Sequence, residues 1–95
     1  MTMREAYEKK LQAQLDEWAA EIKKLKAKAD KAGADAKLEY HKQIEDLRAL
    51  QERAKAKFAA LKETGDDAWE DLKGGIEKAF DTMNKALKSV IAKFK

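Results

Sequence analysis

The chain has 95 residues, 21 of them basic and 18 acidic, for a net charge of +3 at pH 7; that length holds one domain with a thin core, and so balanced a charge argues against the clustered basic face of nucleic-acid binders. A composition 44% hydrophobic and 41% charged, with no proline, reads as long helices and excludes a β-rich fold. The absence of cysteine excludes disulfides, thiolate metal sites and cysteine nucleophiles, and leaves the cytoplasm as the default compartment.

The first ten residues already carry Arg4, Glu5, Glu8, Lys9 and Lys10, so no apolar signal segment is expected there. No stretch approaches the roughly 20 apolar residues of a membrane span. Disorder is the rival for a chain this charged, but both signs are mixed and the apolar residues keep a regular period.

That period defines the first element. Met3, Tyr7, Leu11, Leu15, Trp18, Ile22, Leu25, Ala29, Ala32, Ala36, Tyr40, Ile44, Leu47, Leu50, Ala54, Phe58 and Leu61 follow one another in steps of three or four, one face of a helix. Alternating steps of four and three from Leu11 to Ala36 make a heptad seam; two successive fours at Ala36, Tyr40 and Ile44 are a stutter. Gly33 is the ambiguous point. It can end a helix ahead of a capping Asp35, giving three helices of similar length in a spectrin-like bundle. The in-phase alanines and helix-favouring flanks instead favour one continuous helix over about residues 3–62, roughly 90 Å long at 1.5 Å per residue.

The one clear turn is Glu63-Thr64-Gly65-Asp66. Gly65 can take the left-handed conformation that ends a helix, and Thr64 or Asp66 can cap the next, with Asp67, Glu70 and Asp71 at its positive end. The last element, over about residues 67–94, carries the stripe Trp69, Leu72, Ile76, Phe80, Met83, Leu87, Val90 and Phe94. Folding at Gly65 sets this stripe antiparallel to Tyr40–Phe58, with Phe58 opposite Leu72, Ala54 opposite Ile76, and Tyr40 near Val90.

The expected architecture is therefore all-α: a long helix and a shorter antiparallel one in a coiled-coil hairpin, with the three-helix bundle broken near Gly33 as the alternative. In the hairpin, Tyr7, Leu11, Leu15, Trp18, Ile22 and Leu25 have no cover within the chain. A bare stripe of that size marks an interaction surface, and self-association into a dimer is the simplest cover.

Candidate chemistry is sparse. His41, with Glu45 one turn on and Glu39 nearby, is too few ligands for a metal. The pairs Asp66-Asp67 and Glu45-Asp46 lack the desolvated cleft that separates catalytic pKa values. Gly74-Gly75 lacks phosphate-loop spacing; its expected role is close approach of a neighbouring helix, or local weakness, since two helical glycines together cost roughly 2 kcal/mol. Lys23, Lys24, Lys26 and Lys28, like Arg53, Lys55 and Lys57, read as solvated faces. Trp18 and Trp69 are in phase with the seams, which favours packing over membrane anchoring. No catalytic, cofactor or metal residue is assigned, and no enzymatic activity is expected.

The segments MREAYEKKLQAQLDEWAAEIKKLKAKADKA at 3–32, LEYHKQIEDLRALQERAKAKFAALK at 38–62 and AWEDLKGGIEKAF at 68–80 resemble a family of small bacterial coiled-coil proteins linked to stress responses. The word order around Tyr7, Trp18, Tyr40 and Trp69 carries the likeness. It implies no reaction, cofactor or site, only an interaction or scaffolding role. The C-terminal helix also resembles segments of phasin-like granule coat proteins. That likeness implies a rival function, in which the face Trp69, Leu72, Ile76, Phe80, Met83, Leu87, Val90 and Phe94 coats lipid or a hydrophobic granule surface.

Overall fold

The computed structural model describes residues 2–94. Three helices account for nearly all of them: α1 (Met3–Lys31), α2 (Ala34–Glu63) and α3 (Asp66–Lys93). Helices of this length run about 45 Å at 1.5 Å per residue. Since the longest dimension of the molecule is 51 Å, all three lie side by side, reversing direction at Ala32-Gly33 and again at Thr64-Gly65.

The continuous first helix is thus replaced by two, and the three-helix alternative is the fold. The reason is energetic. Continuing a helix through Gly33 gains only tenths of a kcal/mol per residue in propensity, less the roughly 1 kcal/mol cost of the glycine itself. Folding back covers Leu11, Leu15, Trp18, Ile22 and Leu25, each left 2–5% exposed, and burying one such side chain is worth about 1.5–3 kcal/mol before entropy. Packing overrides the local preference.

Neither turn uses the left-handed conformation expected at Gly65. Gly33 (φ −64°, ψ 160°) and Gly65 (φ −69°, ψ 164°) are both extended, and neither supplies a side chain to cap the helix that follows. Thr64 does not cap α3 either; its hydroxyl donates to the Ala60 carbonyl at 2.7 Å. The well-capped start is α1. Thr2 Oγ1 accepts from the Glu5 amide at 3.1 Å and Glu5 Oε1 accepts from the Thr2 amide at 3.5 Å, a reciprocal capping box.

The core is one apolar column drawn from all three helices, and among the described residues no polar or charged one is buried in it. Ala29 and Ala54, both 0% exposed, supply the small side chains that interdigitating helices need beside large ones. Aromatic contacts fix the ends and the middle. Tyr7 meets Trp69 edge-on at 5.4 Å, Trp18 lies against Phe80 at 4.7 Å, and Tyr40 stacks on Phe94 at 4.0 Å. The last contact places Tyr40 against Phe94, one helical turn beyond the Val90 expected near it.

Gly74 and Gly75 do not serve the close helix approach expected of them. Both are exposed; a Cβ at Gly74 would meet nothing within 4 Å, and one at Gly75 only Lys57 Nζ at 3.9 Å. Since glycine costs about 0.8–1 kcal/mol against alanine in a helix interior, Gly74→Ala and Gly75→Ala should each raise unfolding free energy by about that amount. The midpoint of urea unfolding reads this directly.

Candidate functional site

The stripe expected to mediate self-association lies inside the bundle. Leu11, Leu15, Trp18, Ile22 and Leu25 are buried, and Tyr7 is half-buried against Trp69. Trp18 is held on both its apolar and its polar side, since its Nε1–H donates to Asn84 Oδ1 at 2.8 Å. The bare surface that motivates a dimer in the hairpin is covered by α2 and α3 of the same chain.

The face expected to bind surfaces is likewise in the core. Trp69, Ile76, Phe80, Met83, Leu87, Val90 and Phe94 are buried, and only Leu72, at 38% exposure, looks outward. Among the described residues the other large exposed apolar ones are Met3 and Leu38, single residues rather than a patch. Either surface becomes available only if helices part.

What holds them together at one end is a residue that carries no mark in the sequence pattern. Arg4, in the first turn of α1, reaches the α2–α3 connection. Its guanidinium donates to the carbonyls of Thr64 at 2.6 Å, Leu61 at 3.2 Å and Lys62 at 3.4 Å, and pairs with Asp66 at 2.7 Å and Glu8 at 3.2 Å. It therefore caps carbonyls at the end of α2, where positive charge is favoured, joining the Thr64 amide on the Leu61 carbonyl, and ties the start of α3 to α1. Hydrogen bonds to charged groups are worth about 1.5–3 kcal/mol; Asp66 is 92% exposed, so its pair adds little. Arg4→Ala should cost about 2 kcal/mol by chemical unfolding, with Arg4→Lys recovering only part because an ammonium cannot span the fork of carbonyls.

Trp69 anchors the same end. Arg4 lies 5.8 Å from its ring centroid and Lys73 5.7 Å, with Lys73 also 5.0 Å from the Tyr7 ring, distances at which a cation is drawn to an aromatic face. The Tyr7 hydroxyl donates to Glu77 Oε1 at 3.2 Å. Burial, followed by the negative charge of Glu77 and that hydrogen bond, pushes the Tyr7 phenol up from 10.0 to about 12. Raised in the fold relative to the unfolded chain, this group supports stability fully below pH 10 and loses that support as pH climbs from 10 to 12. Ultraviolet titration should show a phenol ionising near pH 12 that disappears in Tyr7→Phe, together with a shallower alkaline loss of helicity in that variant.

His41 does not join Glu45. Its Nε2 lies 3.3 Å from Asp30 Oδ1, a tie across the Ala32-Gly33 turn that becomes an ion pair when the imidazole is protonated. Among the described residues no group of three His, Cys, Asp or Glu side chains is placed to share a metal ion, and no helix is long and apolar enough to cross a membrane. Asp66 is bound to Arg4, and Arg48 pairs with Glu45 at 3.4 Å, so two members of the carboxylate pairs act as ion-pair partners.

Between the helices run shallow grooves. Those beside α2 are lined by cations: Arg53, Lys57 and Lys78 toward α3, and Lys23, Lys26 and Arg48 toward α1. Those between α1 and α3 mix Arg4, Lys10 and Lys73 with Asp66, Glu70, Glu77 and Asp81.

No family model matches the chain, and no curated protein or solved structure is significantly similar to it.

Proposed function

We propose that this protein is a non-enzymatic helical interaction module that works by exchanging helix–helix contacts: closed, it buries its own stripe; opened at a hinge, it offers that stripe to a second copy or to a partner helix. The observation that carries this reading is the core itself. It is an uninterrupted apolar seam without a buried polar side chain among the described residues, closed by two connections of two residues each whose glycines contribute no side-chain cap. Apart from the Trp18–Asn84 hydrogen bond, which an identical chain can remake, the seam carries little polar register, so the same helix from a second copy fits it as well. Exchange of an identical element between chains is a low-cost route to dimers. The resemblance to stress-linked coiled-coil proteins supports a scaffolding role under conditions that loosen the bundle, in the cytoplasm or peripheral to a surface there.

The cysteine-free chain accepts a single label at exposed Ser89 through Ser89→Cys. Donor- and acceptor-labelled batches, warmed together to just below the unfolding midpoint and cooled, should show energy transfer and a species of twice the mass. Batches that never exchange, at any concentration or temperature, overturn the proposal.

One observation favours a second reading, the surface coat. α3 gathers Trp69, Ile76, Phe80, Met83, Leu87 and Val90 on one face, with Lys73, Lys78, Lys85 and Lys88 off it, the pattern of an interfacial helix. Flotation with anionic vesicles at low salt tests it, and a chain that stays unbound refutes it.

A further inference from the structure

We infer that the outer groove between α2 and α3 of the closed bundle is a binding site for a single-chain amphiphile with a phosphate or carboxylate head. The groove encloses about 220 Å³ and is lined by Leu50, Gly75 and Ala79 along its floor and by Arg53, Lys57 and Lys78 at its rim. Pockets that engulf drug-sized ligands run to roughly 300–1,000 Å³, so this one suits a slim chain lying half-exposed. A second hollow of about 130 Å³ continues it past Lys57 and Gly75 to Ile76 and the exposed Leu72. From Leu72 to Thr82 the track is about 15 Å long at 1.5 Å per residue.

The charge fits the shape. Arg53, Lys57 and Lys78, like most cations among the described residues, sit within 4 Å of no carboxylate, and the groove they share has no acid in its lining; in the comparable groove toward α1 one of the three cations, Arg48, is already paired with Glu45. The second hollow adds one acid, Asp71, which makes no ion pair with Lys57. Three cations share the groove with the apolar Leu50 and Ala79, and Lys57 Nζ lies 3.9 Å from where a Cβ of residue 75 would stand. Any side chain larger than alanine at Gly75 would occupy the track, and the bundle itself has no packing use for the glycine. A free phosphate would leave the floor unused. A nucleic acid would want aromatic faces to stack on, and the groove lining has none.

The site belongs to the closed bundle and does not depend on helix exchange, so the test is run on the whole chain well below the temperature at which labelled copies exchange. Calorimetric titration with monomeric decyl phosphate should show one molecule bound per chain with helicity unchanged. Inorganic phosphate and decyl maltoside should each bind at least tenfold more weakly. Gly75→Leu, which fills the track while improving helix propensity and therefore folds, should weaken binding at least tenfold, as should Arg53→Glu combined with Lys57→Glu. The inference is overturned by decyl maltoside binding as well as decyl phosphate, by unchanged affinity in Gly75→Leu, or by binding confined to anionic vesicles with none to the monomeric amphiphile.

Discussion

Leu15→Asp or Ile22→Asp should abolish the helicity of the entire chain, not only of its N-terminal third. Leu15 and Ile22 are 5% and 4% exposed, and their cover comes from the rest of the same molecule. An aspartate there loses the burial of a large side chain, about 1.5–3 kcal/mol, and sets a carboxylate in an apolar column, which adds several kcal/mol more or forces it to take up a proton; the penalty is larger at Leu15 than at Ile22, whose groove also holds Lys23, Lys26 and Arg48. Small domains hold only about 5–15 kcal/mol in total, so either change removes most of the stability of a bundle this thin. Circular dichroism of the helical signal and size-exclusion chromatography check it: a single cooperative loss, seen equally at Trp18 and Trp69, is the expected result. A helical hairpin of α2 and α3 that survives with about two thirds of the signal would mean that α1 is not integral to the core. The same substitution at exposed Lys24 should cost only tenths of a kcal/mol, for the loss of its exposed pair with Glu21.

How much of the fold is legible in the sequence follows from the scale of the signals. Periodicity marks every core position from Leu11 to Phe94 and the reversal at Gly65, because a repeating apolar face is set by burial and burial contributes most of the driving force for folding. Gly33 escapes such a reading because the competition there is not local. Propensity near residues 29–36 differs by tenths of a kcal/mol between helix and turn, whereas what decides is whether Trp18 reaches Phe80 and Asn84, more than sixty residues away in sequence. The bare stripe exists only while α1 is left unfolded onto its neighbours. Arg4 is invisible for a related reason: a lone arginine in a first helical turn carries no periodic mark, and its role depends on the carbonyls of Leu61, Lys62 and Thr64 arriving beside it. One local signal does stand in the sequence. Thr2-Met3-Arg4-Glu5 has the spacing of a capping box, and both of its hydrogen bonds form. The groove beside α2 is half legible. Arg53 and Lys57 stand out as a basic cluster and Gly75 as half of a glycine pair within a helical stripe, but only the antiparallel register of α2 and α3 puts Lys78 and the apolar lining with them.

Gly33 also offers the sharpest handle on helix exchange, since the continuous helix expected from the sequence is what an opened Ala32-Gly33 hinge would form. In a dimer of such chains the α1 of each would run straight on into α2 and pack against the α2 and α3 of its partner, remaking the same apolar contacts. The closed and exchanged forms then differ mainly at the hinge, and hinge chemistry should set the balance between them. Gly33 has φ −64° and ψ 160° with no positive-φ requirement, so alanine is tolerated in the closed form and favours the continuous helix by about 1 kcal/mol. With two hinges per dimer this amounts to about 2 kcal/mol, or about 30-fold in the dimerisation constant at about 1.36 kcal/mol per tenfold. Gly33→Pro should act in the opposite sense. Proline is fixed near φ of about −65°, which Gly33 already has, and the preceding Ala32, at φ −74° and ψ 159°, is in the extended region a following proline demands. The closed bundle therefore accepts it, while a helix running through residue 33 loses about 3 kcal/mol per chain. Light scattering across a concentration series, after warming and slow cooling, should place Gly33→Ala well above the parent in dimer content and Gly33→Pro below detection. If both variants dimerise as the parent does, the hinge has no part in association and the exchange mechanism falls with it.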